Sequence, residues 1–533
     1  MNVSKLFIRL QPLLFVSMMT GMITSCIQSS SDALDQRIRN ISPSEMQSIT
    51  EFLGHDLLEG RAPGTRGGDL AEIYMKSLFK FLDMAPGIDG SYYQPFLMKG
   101  FTTSDISLYV GDTELAYIDD VVGTFTVEEA SVEVKGDAVF VGFGITTDIW
   151  DWDDYKDLDV KDKIVITRVN DPGFLDPEIF EGSTLTYFGR WTYHIEEAAR
   201  RGAAGILLIH TDETAGYGWD VVRNSWTGEE LYIESDLQNN LIFRGWIKEN
   251  SLNRALSNSG LSLDELYRLN GSRDFQPVDL GIGISISGKN RVRDVSNRNV
   301  VAMIPGKSEE HIVLSAHIDH LGMDPGKDGD NIYNGAIDNG TAVAAMMVVA
   351  KILKEFQDQL HYSVTILGCQ AEESGLLGSK YFAQNCDQNS IVANINFEST
   401  PVWGKANSIM GIGARFSDFE GILMDLADQN NLGYSSFSLS NQGLFYRSDQ
   451  FSFARYGIPA VWISAGEDEV SGAQNYTEFW GKDYHTVRDE YDPEWELGGM
   501  HQTIRFALLL IQQLNENRTV PQWKDNLPFP MEK

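Results

Sequence analysis

A chain of 533 residues has room for two or three domains and a large buried core. Its 42% hydrophobic and 22% charged residues are ordinary for a globular protein, but 42 Lys and Arg against 76 Asp and Glu leave a net charge of −34. That excess repels phosphate backbones and anionic membranes, excludes nucleic-acid binding as the main role, and favours cationic groups such as a free peptide amino terminus.

The first 26 residues read as a targeting segment. Lys5 and Arg9 form a positive n-region, and the mainly apolar stretch from Leu10 to Ile23 is too short to span a bilayer comfortably. Its end, Ile23-Thr24-Ser25-Cys26, resembles a bacterial lipoprotein signal. The resemblance implies cleavage before Cys26, lipidation of its sulfur, and a place in the bacterial cell envelope, in the periplasm or at the outer membrane or cell surface. Residues 27–41 are then a tether, and the N-terminal lipid is the sole expected membrane contact. Only Cys369 and Cys386 follow, too few for a disulfide framework.

Residues 42–83 carry helical apolar spacing. Ile49, Phe52, Leu53 and Leu57 form one stripe, Leu70, Ala71, Tyr74, Leu78 and Phe81 a second, and Gly60-Arg61-Ala62-Pro63-Gly64 a turn between them. From about 101 to 290 short alternating strands dominate, such as 106–110, 138–143, 163–169 and 205–210, with one helix at 193–201. From 298 the pattern becomes strand–helix–strand. The expected fold is therefore α/β: a doubly wound mixed sheet with helices on both faces, built from residues 42–115 and 291–520, with a mostly β module inserted at 116–290 and a tail at 521–533.

Candidate ligands recur where strands end. His317-Ile318-Asp319-His320 follows the strand at 312–316, Glu372-Glu373 follows 363–369, Glu398 follows 391–397, and Tyr484-His485 lies in a loop after 458–464. Sites in open α/β sheets form outside the carboxyl ends of strands. Asp338 is expected at the start of an amphipathic helix with Met346, Val349, Ala350 and Leu353 on one face, where the helix dipole keeps a carboxylate ionised. The acidic loop of Asp324, Asp328 and Asp330 reads as a solvated turn, because a twelve-residue calcium loop needs Glu where Gly335 stands. His210, at the end of an apolar strand, reads as a surface or capping histidine.

These pieces, together with Gly335-Ala336-Ile337-Asp338-Asn339-Gly340, Ala371-Glu372-Glu373-Ser374-Gly375, Ile395-Asn396-Phe397-Glu398, Arg447-Ser448-Asp449-Gln450-Phe451 and Asp483-Tyr484-His485-Thr486, resemble the zinc aminopeptidase family that includes bacterial leucyl aminopeptidases, aminopeptidase Y and glutamate carboxypeptidase II. The resemblance covers about 42–100 and 295–515. The inserted region is similar to a protease-associated domain through Val141-Gly142-Phe143-Gly144, Asp159-Val160-Lys161-Asp162-Lys163 and Arg201-Gly202-Ala203-Ala204-Gly205. It would shape substrate access through its aromatic loop at 217–226.

The resemblance implies a dizinc aminopeptidase acting on peptides. Asp338 would bridge two zinc ions, His317 and Glu398 would complete one, and Glu373 and His485 the other. Asp319 would orient His317, Glu372 would be general base and acid, and Tyr484 would polarise the substrate carbonyl or stabilise the tetrahedral intermediate. Asn339 and Arg447 are candidate substrate contacts. Glu398 stands where members often have Asp, and Gln450, where some have His, is expected to bear on substrate more than on metal. The alternatives are a carboxypeptidase, which needs basic residues to grip a carboxylate, a single-zinc glutaminyl cyclase, and a receptor-like binding protein without catalysis. Side-chain preference and oligomeric state are not encoded in these motifs.

Overall fold

The computed structural model describes residues 33–268, 270–324, 326–435 and 442–532. Cys26 and the targeting segment lie outside the described residues. Helix α1 (Pro43–Leu53) starts where the sequence supplies a capping box: Glu45 accepts the Ser42 backbone N–H at 2.9 Å while the Ser42 hydroxyl accepts the Glu45 N–H at 3.3 Å. It buries Met46, Ile49 and Leu53. Two expected members of the stripe do not join them. Phe52 is 38% exposed, and Leu57, 67% exposed, falls beyond the helix end in the tight turn Asp56–Arg61. Helix α2 (Arg66–Phe81) likewise buries Ala71, Met75 and Phe79 and leaves Phe81 86% exposed at its last turn.

The peptidase-like half is built on strands β8 (Val278–Ile304), β9 (His311–His317), β10 (Ser363–Cys369), β11 (Ile391–Asn396), β12 (Ser408–Ile412) and β13 (Ala460–Ala465). Their spatial order is β12-β13-β11-β9-β10-β8, parallel from β13 through β10 and antiparallel at β12 and β8. Alternate residues serve opposite faces, as the pleat requires. Ile312, Leu314 and Ala316 enter the core with α1, α2, α4 (Ala342–Glu355) and α9 (Gly498–Asn517), whereas Val313 packs with Phe382 and Phe453 of α5 (Leu377–Asn385) and α7 (Gln450–Arg455). The sheet is thus mixed, with helices on both faces.

Helix α4 departs from the amphipathic expectation. It is apolar nearly all round, and the segment Ala336–Glu355, though long and apolar enough to suit a membrane, has 94% of its most apolar stretch buried. A helix covered on every side needs no polar face.

Strand β8 is shared by both halves. Residues 300–304 pair with β10, while 284–300 pair antiparallel with β1 (Tyr93–Val110) in a long ribbon. Beyond the Val110–Ile284 pair the chain forms a second α/β module around β2 (Val121–Phe125), β3 (Ser131–Phe140), β4 (Ile164–Arg168), β5 (Gly205–His210), β6 (Glu229–Ile233) and β7 (Phe243–Lys248). Of these, β6 pairs back onto β1, and the others continue the sheet in the order β3-β4-β5-β7-β2. Apolar cores lie on both of its faces, one including Ile195 and Ala198 of α3 (Trp191–Arg200). The module is fastened to the other half by an aromatic cluster in which Phe143, Trp152, Tyr187 and Tyr193 meet Phe445, Tyr446, Phe451 and Phe529.

His210 is not at the surface. It is buried beside Trp219 and Trp246, with Nε2 3.1 Å from the Tyr217 carbonyl. A polar group here tolerates burial because it finds that backbone partner. Both Cys369 and Cys386 are free thiols, and Asp324, Asp328 and Asp330 are solvent-exposed.

Candidate metal centre

The sheet delivers the predicted ligands to one edge. His317 is the last residue of β9, Glu372 and Glu373 lie in the turn between β10 and α5, Glu398 follows β11, and His485 follows α8 (Asn475–Lys482). Asp338 sits in the wide turn Ala336–Thr341, outside helical geometry at φ −103° and ψ 87°, and the regular helix begins at Ala342. It therefore precedes the regular helix rather than opening it, and the Asp338–Asn339 peptide is cis.

Asp338 faces two histidines at once. Its Oδ1 is 3.3 Å from His317 Nε2 and its Oδ2 is 3.3 Å from His485 Nε2. His317 Nε2 lies 3.1 Å from Glu398 Oε1, and His485 Nε2 lies 3.0 Å from Glu373 Oε2. Donor atoms of His317, Asp338 and Glu373 lie within 4.8 Å of one another, as do those of His317, Glu372 and Glu398. Asp338 Oδ2 and His485 Nε2 are buried without a hydrogen-bond partner. Two imidazoles and three carboxylates with such unmatched donor atoms are a set that zinc accepts.

The cluster is braced from behind, largely by groups that no motif singled out. Asp489 accepts the backbone N–H of Ile337 at 2.7 Å and of Asp338 at 2.9 Å. Arg61, 1% exposed, donates to the carbonyls of Ile318, Leu53, Asn334 and Gly335. His320 places Nδ1 2.6 Å from Glu373 Oε1. Ser448 donates to Glu398 at 2.9 Å. Asp319 was expected to steer His317 with its carboxylate. Its Oδ1 lies 3.9 Å from His317 Nδ1, its backbone carbonyl is nearer at 3.2 Å, and its carboxylate also accepts the N–H groups of Glu372 and Glu373 at 3.2 and 3.4 Å. The side chain therefore positions the glutamate pair as well as facing His317.

Two further expectations fail. Asn339 does not face substrate: it is buried, donates to the Phe397 carbonyl at 3.3 Å and accepts the Ser399 N–H at 2.9 Å, tying the Asp338 turn to the Glu398 loop. Gln450 is buried below the site, accepting from Asn396 at 2.9 Å and donating to the Phe445 carbonyl at 3.0 Å, so it bears on the scaffold.

Electrostatics separate the two glutamates. Burial, with Glu398 and Glu373 adding, pushes Glu372 well above the usual carboxylate range, which suits a group that must take up a proton. Although burial opposes its charge, Glu373 is held down at about 2 by His485 and His320. Against the same burial, Glu373 and Asp338 raise His485 to about 9. Tyr484 stacks on His485 with ring centroids 3.8 Å apart, and its hydroxyl lies 3.4 Å from Arg447 Nη2.

The cluster opens into a cleft of about 1690 Å³ between the two halves, lined by Glu372, Glu373, Tyr484, His485, Arg447 and Arg190 among others. Tyr217 and Trp226 of the expected aromatic loop also line it, Trp226 closing a short helix at 219–226.

Residues 299–509, the stretch that carries all five candidate ligands, match the model for Peptidase family M28. That region of the chain resembles a peptidase domain of this family. Among solved structures, the chain is similar to an aminopeptidase from Aneurinibacillus sp. strain AM-1, at 15% identity, TM-score 0.52, and coverage of 93% of this chain and 98% of that one. A peptidase M28 precursor from Shewanella amazonensis matches at 16% identity and TM-score 0.46 over 90% and 97% of the two chains. BSAP, a zinc aminopeptidase from Bacillus subtilis, matches at 14% identity and TM-score 0.44 over 88% and 94%. No curated protein matches the chain. The matched stretch runs from within β8 to within α9, and the similarity to the first of these structures spans the second module as well as the sheet.

Proposed function

We propose that the protein is a metallo-aminopeptidase that holds two zinc ions, one by His317, Asp338 and Glu398 and one by His485, Asp338 and Glu373. The observation that carries this is the division of Asp338 between His317 and His485, one oxygen to each at 3.3 Å. Zinc bound there supplies polarisation of the scissile carbonyl and a water acidified towards a pKa of ~7. Glu372, with its raised proton affinity, accepts the proton of the attacking water and returns it to the leaving amine. Tyr484, which lines the cleft with its hydroxyl 3.4 Å from Arg447, would polarise the substrate carbonyl or stabilise the tetrahedral intermediate.

The reading includes a protease-associated identity for the inserted module at 116–290, supported by its sequence likeness and by its contribution to the cleft wall. It also includes envelope anchoring through Cys26, supported by the signal-like sequence alone. The test is a screen of aminoacyl-naphthylamides with zinc analysis of the purified protein. About two zinc ions per chain, with activity lost to a chelator and restored by zinc, is the expected result. Hydrolysis indifferent to chelation, or no retained zinc, overturns the proposal.

A further inference from the structure

The main-chain polar groups of β6 (Glu229–Ile233) are only half used. The strand pairs antiparallel with β1, from Glu229 opposite Thr102 to Ile233 opposite Met98. No strand lies along its other edge, and among the described residues no backbone N–H or C=O of 229–233 bonds to any element but β1. In an antiparallel ladder alternate residues turn both groups away from the partner strand. The free edge of β6 is therefore a row of unpaired donors and acceptors.

That row belongs to the cleft of the metal centre. All five residues of β6 line the cavity that Glu372, Glu373 and His485 also line. Leu231 and Ile233, 5% and 2% exposed, pack with Ala371 and Leu377, the residues on either side of the turn that carries the two glutamates. The strand is held firmly in that position. Glu230 accepts from Arg244 at 2.8 Å, and Glu229 accepts from Arg293 at 2.6 and 2.7 Å. Five residues at ~3.4 Å each make an edge of about 17 Å, the length of four or five residues of an extended peptide. Edges open to solvent invite pairing with a second folded sheet. No residue of β6 is exposed, so this recessed edge favours a single extended chain over another copy of the protein.

We propose that the free edge of β6 is a docking strand for substrate. The residues that follow the scissile bond add to it as one more strand, and preferred substrates are extended oligopeptides rather than dipeptides. This rests on the peptidase reading above. Main-chain pairing supplies affinity that depends little on side chains, so length matters more than sequence.

The experiment compares kcat/KM of the zinc-loaded full chain for Leu-Ala-NH2 and for Leu-Ala-Ala-Ser-Ala-Ala-NH2. The longer peptide is also tested with one N-methyl group moved along the four residues after its first two. Hydrogen exchange on the Glu372→Gln protein, with and without the longer peptide, reads the β6 amides independently of turnover. The expected result is a gain of about 10- to 100-fold with length, a loss of about 3- to 10-fold from N-methylation at alternate positions, and slowed exchange in β6. Equal kcat/KM for both lengths, with β6 exchange unchanged by peptide, overturns the docking strand while leaving the peptidase standing. A gain with length that is indifferent to every N-methyl group also overturns it, because side-chain contacts would then hold the peptide. Protection of β6 that follows protein concentration and not peptide assigns the edge to a second copy, and overturns it too. Failure of the zinc-loaded chain to hydrolyse either peptide overturns the peptidase reading, and the response of β6 exchange to the peptide then decides the docking strand by itself.

Discussion

Asp489 accepts the backbone N–H of Asp338 at 2.9 Å, so a carboxylate far along the chain sets the backbone of the residue shared between the two histidines. Replacing Asp489 with Ala leaves that N–H and the one of Ile337 buried without acceptors, at about 1–3 kcal/mol each. Asp489→Ala is expected to lower the melting temperature and the zinc content together, with Asp489→Asn, which keeps one acceptor, between it and the parent. Elemental analysis alongside thermal unfolding checks this. Full zinc occupancy in Asp489→Ala would show that the turn holds itself.

Glu372→Gln removes the proton acceptor and none of the proposed ligands. Its kcat should fall by about 10²–10⁴ while zinc content stays at the parental level. Glu373→Gln, at a proposed ligand, should lose metal as well as activity. Metal analysis paired with kinetics separates the two, and parental turnover in Glu372→Gln would remove it from the mechanism.

Arg61 fills four carbonyl acceptors from a fully buried site and sits amid Asp489, Asp319, Asp338 and Glu373. Arg61→Met strands those acceptors and takes a positive charge from an acidic cluster. A loss of roughly 3–5 kcal/mol is expected in urea unfolding. Arg61→Lys should recover little of it, because an ammonium cannot reach carbonyls spread over the guanidinium plane.

Asp154 lies buried in the second module. It accepts from the Ile145 N–H at 3.1 Å and the Trp152 indole at 2.9 Å, yet burial raises it to about 7. An acid that binds its proton more tightly when folded contributes stability that is complete below its unfolded pKa of ~4 and is lost as pH rises through about 7. The change is on the order of 4 kcal/mol across that window. Unfolding by urea at pH 4, 5.5 and 7 should show the slope, and Asp154→Asn should flatten it; an unchanged slope in that variant would assign the effect to other groups.

Much of the site was legible because strand ends announce themselves. An apolar run followed by His317, Glu372-Glu373 or Glu398 carries both the sheet and the ligand position in one local pattern. What escaped reading acts across distance. Asp489 and Arg61 work through backbone atoms of other segments, which no side-chain motif encodes. Asn339 sits beside Asp338 in sequence and looked like a substrate contact, but its amide is spent on Phe397 and Ser399. Helix α4 carried an apparent polar face that the fold covers. Arg190 lay in the region read as a mostly β insertion, and only the packing of Tyr187 against the other half brings it to the cleft.

The ribbon of β1 and β8 has one more consequence. Val110 and Ile284 are cross-strand partners, and Gly111 donates to the Gly283 carbonyl at 2.9 Å, so the chain departs for the second module and comes home at neighbouring points of one hairpin. A short turn joining them would close that hairpin and excise everything between. Every candidate ligand and Glu372 would survive the excision, while the module's side of the cleft would go. The candidate ligands and the second module's share of the cleft wall are therefore encoded on separable stretches of chain that meet at one hairpin.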